Sequence, residues 1–172
     1  MNKRRLAACV VLVLCHAGCG APRRQTPPEP PKAAAEFALP DLEGATIRLE
    51  DLRGKTVLID FWATWCGPCK DSIPYYQKLY ASRRSSGLII VGIDEDTNPQ
   101  EARSFAKENA MTYPVLLDPD RRTFDSYDVS GLPTTFLIDS EGKIRRRWVS
   151  FDDDIASEIQ KEVDSLLKPA QR

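Results

Sequence analysis

Thr56-Val-Leu-Ile-Asp-Phe-Trp62 is a nearly continuous apolar run, and the chain passes almost at once from it into Cys66-Gly-Pro-Cys69. A run of strand length without polar alternation suits a strand covered on both faces. Pro68 fits the first turn of a helix, where a missing N–H is harmless. Two cysteines at i and i+3 therefore straddle a strand-to-helix junction, where a small disulfide closes with little backbone movement. The first cysteine is expected to face solvent at the helix tip.

The rest of the body reads as alternating elements. Phe37-Ala-Leu-Pro-Asp41 and Ile47-Arg-Leu-Glu50, separated by Glu43-Gly44, suggest a short hairpin before the main strand. After the cysteines the sequence has helical character to about residue 86, with a kink expected at Pro74. Leu88-Ile-Ile-Val-Gly-Ile-Asp94 reads as the next buried strand, residues 99–110 as a helix and Tyr113-Pro-Val-Leu-Leu117 as a short extended piece. A short helix is expected near residues 121–127, then the strand Thr134-Thr-Phe-Leu-Ile-Asp139. Glu141-Gly142 turns the chain into a hairpin partner at residues 143–149. Asp152-Asp153-Asp154 opens a last helix to about residue 167, its acids matching the positive end of the helix dipole. The fold class is α/β, a mixed central sheet flanked by helices.

At the helix tip, unpaired N–H groups and the dipole favour a thiolate, so Cys66 is expected to be the attacking nucleophile. Cys69, one turn inward, is expected to be the resolving thiol that releases a mixed disulfide. The competing readings are half of a zinc site and an inert structural bridge. Zinc needs two more Cys or His ligands, and beyond residue 19 the chain has no other cysteine and no histidine. A histidine-based triad fails on the same inventory. Asp94-Glu95-Asp96 lacks the spacing of a calcium loop and reads as a solvated strand end. Arg145-Arg146-Arg147 reads as a strand with two solvated charges.

The N-terminal stretch is of a different kind. Met1-Asn2-Lys3-Arg4-Arg5 is positive, residues 6–15 are apolar, and Ala17, Gly18 and Cys19 follow. This is the layout of a secretory signal at residues 1–18; a spanning helix needs about 20 apolar residues. Ala17-Gly18-Cys19 resembles the lipobox of bacterial lipoproteins, which implies lipid on Cys19, although His16 departs from that pattern. Ordinary cleavage and an uncleaved anchor are the alternatives. Residues 19–36, with five prolines, read as a spacer. Residues 1–32 carry six Lys/Arg and one acid, whereas the remainder carries 18 Lys/Arg and 24 acids. So acidic a body is a poor match for nucleic acid, whose affinity rests on Lys/Arg.

Asp60-Phe-Trp-Ala-Thr-Trp-Cys66-Gly-Pro-Cys69-Lys70 resembles the active-site segment of the thioredoxin superfamily. With Gly131-Leu-Pro-Thr-Thr-Phe-Leu-Ile-Asp139 and the inserted αβ unit around 98–117, residues 37–168 are similar to the extracytoplasmic TlpA/ResA-like branch. The resemblance implies a thioredoxin fold with an N-terminal β-hairpin. It implies a cis-proline at Pro133, with Leu132 pairing to an extended substrate backbone. Trp65, Gly67 and Pro68 then shape the surface around the reactive sulfur. Lys70 either supports the Cys66 thiolate or is solvated. Trp62 is expected in the core. An acid among Val57, Leu58, Ile59, Phe61 and Trp62 is costly without a task, and the resemblance assigns Asp60 proton transfer with Cys69. Branch members often carry Asn at the Asp60 position, and several carry Glu where this chain has Ser72. The proton-handling carboxylate has here the thioredoxin location.

The function this implies is reduction of disulfides in exported proteins, in the periplasm or at the cell surface, with cytochrome c maturation as one setting. The Gly-Pro dipeptide matches thioredoxin, and strongly oxidising relatives carry a histidine there. No cofactor beyond the Cys66/Cys69 couple, a membrane electron-donor thiol protein, membrane attachment through Cys19, and a monomer are expected. The alternatives are a peroxiredoxin-like peroxidase, although Thr64 lies two residues before Cys66 and not three, and a copper-delivery module, for which a distal histidine is missing.

Overall fold

The computed structural model describes residues 31–167. The expectations about the signal segment, Cys19 and residues 19–30 of the spacer lie outside the described residues. Two short strands, β1 (Ala38–Pro40) and β2 (Thr46–Arg48), form the antiparallel hairpin. The main sheet comprises β3 (Thr56–Trp62), β4 (Leu88–Asp94), β5 (Val115–Leu117), β6 (Thr134–Ile138) and β7 (Ile144–Val149), in the order β5-β4-β3-β6-β7. β3 runs parallel to β4, and β4 to β5; β6 is antiparallel to β3, and β7 to β6. Helices α1 (Gly67–Arg83), α2 (Pro99–Glu108), α3 (Arg122–Ser126) and α4 (Asp153–Leu166) complete the fold.

β3 is central because every one of its residues can be buried, and all seven are. Its alternating side chains serve two cores. Val57, Ile59 and Phe61 point into a cluster with Phe124, Tyr127, Phe136 and Leu49, under α3 and the N-terminal segment. Leu58 packs with Tyr76 and Leu79 of α1 and with Ile159 and Val163 of α4. Trp62 packs with Cys69 and Ile73 of α1. Asp60, between Leu58 and Trp62 in the alternation, thus lies on the face covered by α1. The Tyr75 hydroxyl donates to the Ala156 carbonyl at 2.6 Å, and Arg83 pairs with Asp164 at 2.7 Å; both tie α1 to α4.

Helix ends follow their capping residues. Asn98 caps α2 by accepting from Gln100 N, and Asp152 caps α4 by accepting from Ile155 N. After α1 the chain passes through one 3-10 turn and leaves through Gly87, whose φ of +100° is open to glycine at no steric cost.

Three expectations change. Residues 33–36 are not spacer: Ile144 N donates to Lys32 O, Ala34 N to Gly142 O, and Ala34 is buried in the α3-side core. An alanine run offers a small apolar face, and the groove beside β7 takes it. Asp94, Glu95 and Asp96 are buried, not solvated, because the chain beyond β4 stays bonded to the end of β3 and the loop after it: Glu95 N donates to Trp62 O, and Asp96 accepts from Thr64 N. All three of Arg145, Arg146 and Arg147 are exposed: a register shift in the β6–β7 ladder leaves Arg145 with no residue opposite it, and Arg146 reaches out to pair with Glu162 of α4.

Candidate active site

The sheet's carboxyl edge, where β3 ends beside β4, presents Ala63 to Cys66 as a tight loop. Cys66 N donates to Ala63 O at 3.1 Å, and Thr64 N donates to Asp96 Oδ2 at 2.9 Å. Asp96 thereby fixes the approach to the cysteines, a role its sequence context did not signal. Its neighbour Asp94 accepts from Asp96 N through Oδ2 at 3.2 Å. Asp118 accepts from Thr123 N and Phe124 N at 3.0 and 3.1 Å and so caps α3. Glu95 is paired with Arg121. Among the described residues no group of three or more His, Cys, Asp or Glu could hold a metal ion.

Cys66 is the N-cap of α1, with extended backbone angles, and its Sγ accepts the Cys69 N–H at 3.2 Å. Gly67 and Pro68 occupy the first two helical positions, where neither residue's peculiarity costs a hydrogen bond. The two sulfurs are joined in a disulfide, with Cα atoms 5.3 Å apart. Cys69 is fully buried, and its carbonyl accepts from Ser72 Oγ at 3.0 Å. Cys66 does not face solvent as expected; it is only 4% exposed. It packs in one cluster with Trp62, Cys69 and Ile73, with Leu132 laid against that cluster. Trp65, by contrast, is 66% exposed, whereas Trp62 is core. Lys70 is exposed.

The Leu132–Pro133 peptide is cis. Thr134 Oγ1 donates to Gly131 O at 2.6 Å and Ser150 N to Pro133 O at 2.8 Å, which fixes this loop from both sides. Leu132 remains partly exposed. Trp65, Gly131, Leu132 and the Glu95–Arg121 pair line a cavity of about 150 Å³. Trp65, Cys66 and Leu132 are thus brought to one edge of the sheet, while Gly67 and Pro68 are exposed on the helix tip beside them.

Asp60 has no accessible surface. Thr135, its cross-strand neighbour in β6, donates from Oγ1 to Asp60 Oδ1 at 3.4 Å, and Oδ2 has no partner among the described residues. Burial pushes this carboxyl well above the ordinary carboxylate range, with Thr135 pulling the other way. Asp94 is pushed up to about 8, first by burial and then by the charge of Asp96. Each of these acids keeps its proton in the folded chain to higher pH than in the unfolded one. The folded state therefore binds more protons above about pH 4. Stability contributed at low pH is then lost as pH rises through the folded titration, which for Asp94 spans about pH 4 to 8. Asp60→Asn removes one such loss. In urea titrations at a series of pH values the variant is expected to match the parent near pH 4 and exceed it by about 1–3 kcal/mol above the Asp60 titration. Parallel curves would show that Asp60 is solvated.

A family model described as AhpC/TSA family matches residues 30–147. The chain belongs to the AhpC/TSA family. It is 35% identical over 151 residues to thiol-disulfide oxidoreductase ResA of Bacillus cereus (strain ATCC 10987 / NRS 248), covering 84% of this chain and 87% of the relative. Against ResA of Bacillus subtilis (strain 168) it is 45% identical over 111 residues, 64% of this chain and 62% of the relative. The chain thus spans somewhat less than two thirds of the latter's length. Among solved structures, a thioredoxin family thiol:disulfide interchange protein from Chlorobium tepidum TLS superposes with a TM-score of 0.72 at 26% identity, covering 81% of this chain and 99% of that one. The thioredoxin domain of a thiol-disulfide oxidoreductase from Bacteroides vulgatus gives 0.71 at 29%, covering 78% and 98%. This AhpC/TSA family member has the thioredoxin fold.

Proposed function

We propose that the protein is a thiol-disulfide oxidoreductase that reduces disulfides of exported proteins through Cys66 and Cys69. The observation that carries this reading is the Cys66 sulfur at the α1 N-cap, accepting the Cys69 N–H while bonded to the Cys69 sulfur. In the reduced pair the same N–H and the open helix end favour a thiolate on Cys66. That thiolate attacks one sulfur of a substrate disulfide. The substrate S–S bond breaks, and its electron pair leaves on the other sulfur, which takes a proton from water. Cys69 then passes its S–H proton to the Asp60 carboxylate and attacks Cys66 Sγ. The Cys66–Cys69 bond forms, the mixed disulfide breaks, and the second substrate thiolate departs. Two electrons have moved from the protein to the substrate. A donor dithiol reverses the sequence on the protein and Asp60 returns its proton.

The loop at Leu132–Pro133 suits an extended substrate backbone, and main-chain pairing there gives affinity without strict sequence demand. Trp65 supplies an exposed aromatic wall, and Gly67 and Pro68 leave the helix tip free of bulk. The names of the ResA relatives support the activity. The signal-like N-terminus, Cys19 and the proline-rich spacer support an extracytoplasmic, lipid-tethered domain, and the resemblance to the TlpA/ResA-like branch supports re-reduction by a membrane thiol protein. Apocytochrome c before haem attachment is the substrate class to test first. The couple needs no cofactor, and one chain holds the whole site.

The test is turnover. Supplied with a dithiol, the protein is expected to reduce a disulfide-bonded protein catalytically, and to consume little hydrogen peroxide without a partner thiol protein. Rapid peroxide consumption with no disulfide reduction would contradict the reading and favour a peroxidase.

A further inference from the structure

We propose that Tyr76, acting through Thr135, is a positioning residue for the proton of Cys69: the three side chains Tyr76, Thr135 and Asp60 form one buried hydrogen-bonded line ending at the carboxyl. The inference rests on the roles given above to Cys66, Cys69 and Asp60. Tyr76 Oη and Thr135 Oγ1 are 2.8 Å apart, Thr135 Oγ1 reaches Asp60 Oδ1 at 3.4 Å, and none of the three has accessible surface. They come from three elements, α1, β6 and β3. Tyr76 shares α1 with Cys69, so the line joins the helix that carries the resolving thiol to the acid that takes its proton.

A hydroxyl carries one proton. While Thr135 donates to the Asp60 carboxylate, the proton between Tyr76 and Thr135 must come from Tyr76. The line then runs from Tyr76 to Thr135 to Asp60, each donor strengthening the next. When Asp60 has taken the Cys69 proton, the carboxyl can donate and both hydroxyls can reverse. The line therefore has one order for each protonation state of Asp60, and it favours the carboxylate by stabilising the order that begins at Tyr76.

Of the other groups that face Asp60, none among the described residues donates a hydrogen bond to its carboxyl. Tyr113, from the segment before β5, is buried with an unpartnered hydroxyl, and burial and the Asp60 charge raise its phenol. Tyr76 is raised by burial, then by Asp60, with smaller contributions from Tyr113 and Tyr75. Gly92, opposite Asp60 in β4, brings no side chain. Ile159 and Val163 of α4 are apolar. Among the described residues no lysine or arginine weighs on the Asp60 carboxyl. With no cation to hold the charge, the hydroxyl line is what this chain uses.

Single-turnover mixing of the fully reduced protein with a chromogenic aromatic disulfide separates the steps. The first thiol released reports Cys66 attack, and the second reports resolution by Cys69. In Tyr76→Phe the second release is expected to be about two- to tenfold slower at pH 7, the worth of one hydrogen bond, and its pH midpoint to move upward. Thr135→Val is expected to move the midpoint further, and Thr135→Ser to restore it. Adding Tyr76→Phe to Thr135→Val is expected to change nothing more, because Tyr76 acts only through the missing hydroxyl. The first release is expected to keep its rate and profile throughout. An unshifted second release in Tyr76→Phe, or a shift that adds to that of Thr135→Val, would overturn the proposal. A parent protein that gives no second release would instead overturn the roles of the cysteine pair, and this proposal with them.

Discussion

Cys69→Ser is expected to turn the catalyst into a trap. Reduced variant mixed with a disulfide-bonded protein should accumulate a covalent adduct through Cys66, visible as a mass increase that a reductant removes. Multiple turnover should fall to that of an ordinary thiol, whereas Cys66→Ser should lose turnover and form no adduct. The asymmetry follows from the two environments. Cys66 stands at the α1 N-cap, with a backbone N–H on its sulfur and a trace of accessible surface. Cys69 has none and lies beneath it, against Trp62 and Ile73. An incoming sulfur can approach only the first, and only the second can displace it. Adducts through Cys69 in Cys66→Ser would reverse the assignment.

Phe61→Ala is expected to cost about 3–5 kcal/mol of a total that for a domain of this kind is about 5–15 kcal/mol. Phe61 has no accessible surface, and its ring centroid lies 4.8 Å from that of Phe124, 5.3 Å from Tyr127 and 5.8 Å from Phe136. Those partners come from α3, from Tyr127 just after it and from β6, and lock α3 against the sheet, so the cavity left by truncation has rigid walls. A fall in melting temperature on the order of 10 °C is expected. Because Phe61 points away from α1, the folded variant should still exchange disulfides. A loss under about 1 kcal/mol would mean that the cluster repacks freely.

How much of this could be read in advance depends on sequence distance. β3, the cysteine pair at the helix tip and the hairpin at β6–β7 are local patterns, set by apolar runs, Pro68 and Gly142, and the structure places them within a residue or two of expectation. Asp60 stood out because a lone acid in an apolar strand has a cost. Thr135 and Tyr76 did not, since a threonine in a strand and a tyrosine in a helix are ordinary, and their partners are 75 and 59 positions away. The burial of the acids at 94–96 is hidden from the sequence for the same reason. Thr64, whose amide donates to Asp96, is 32 positions upstream of it, and only the parallel pairing of β3 and β4 brings the two near. Leu132 reaches the cluster that buries Cys66 again by topology and not by spacing.

The central claim is that Cys66 and Cys69 form a reducing couple, and its equilibrium potential tests it most directly. A strong oxidant has its reduced form stabilised. Here the Cys66 sulfur has one backbone N–H, no histidine lies among the described residues, and buried acids line the loop that leads to it. Equilibrated with dithiothreitol and read as the fraction of Cys66–Cys69 disulfide, the couple should lie near about −270 mV, as thioredoxin does. A value near about −120 mV would contradict the account and make the protein a donor of disulfides.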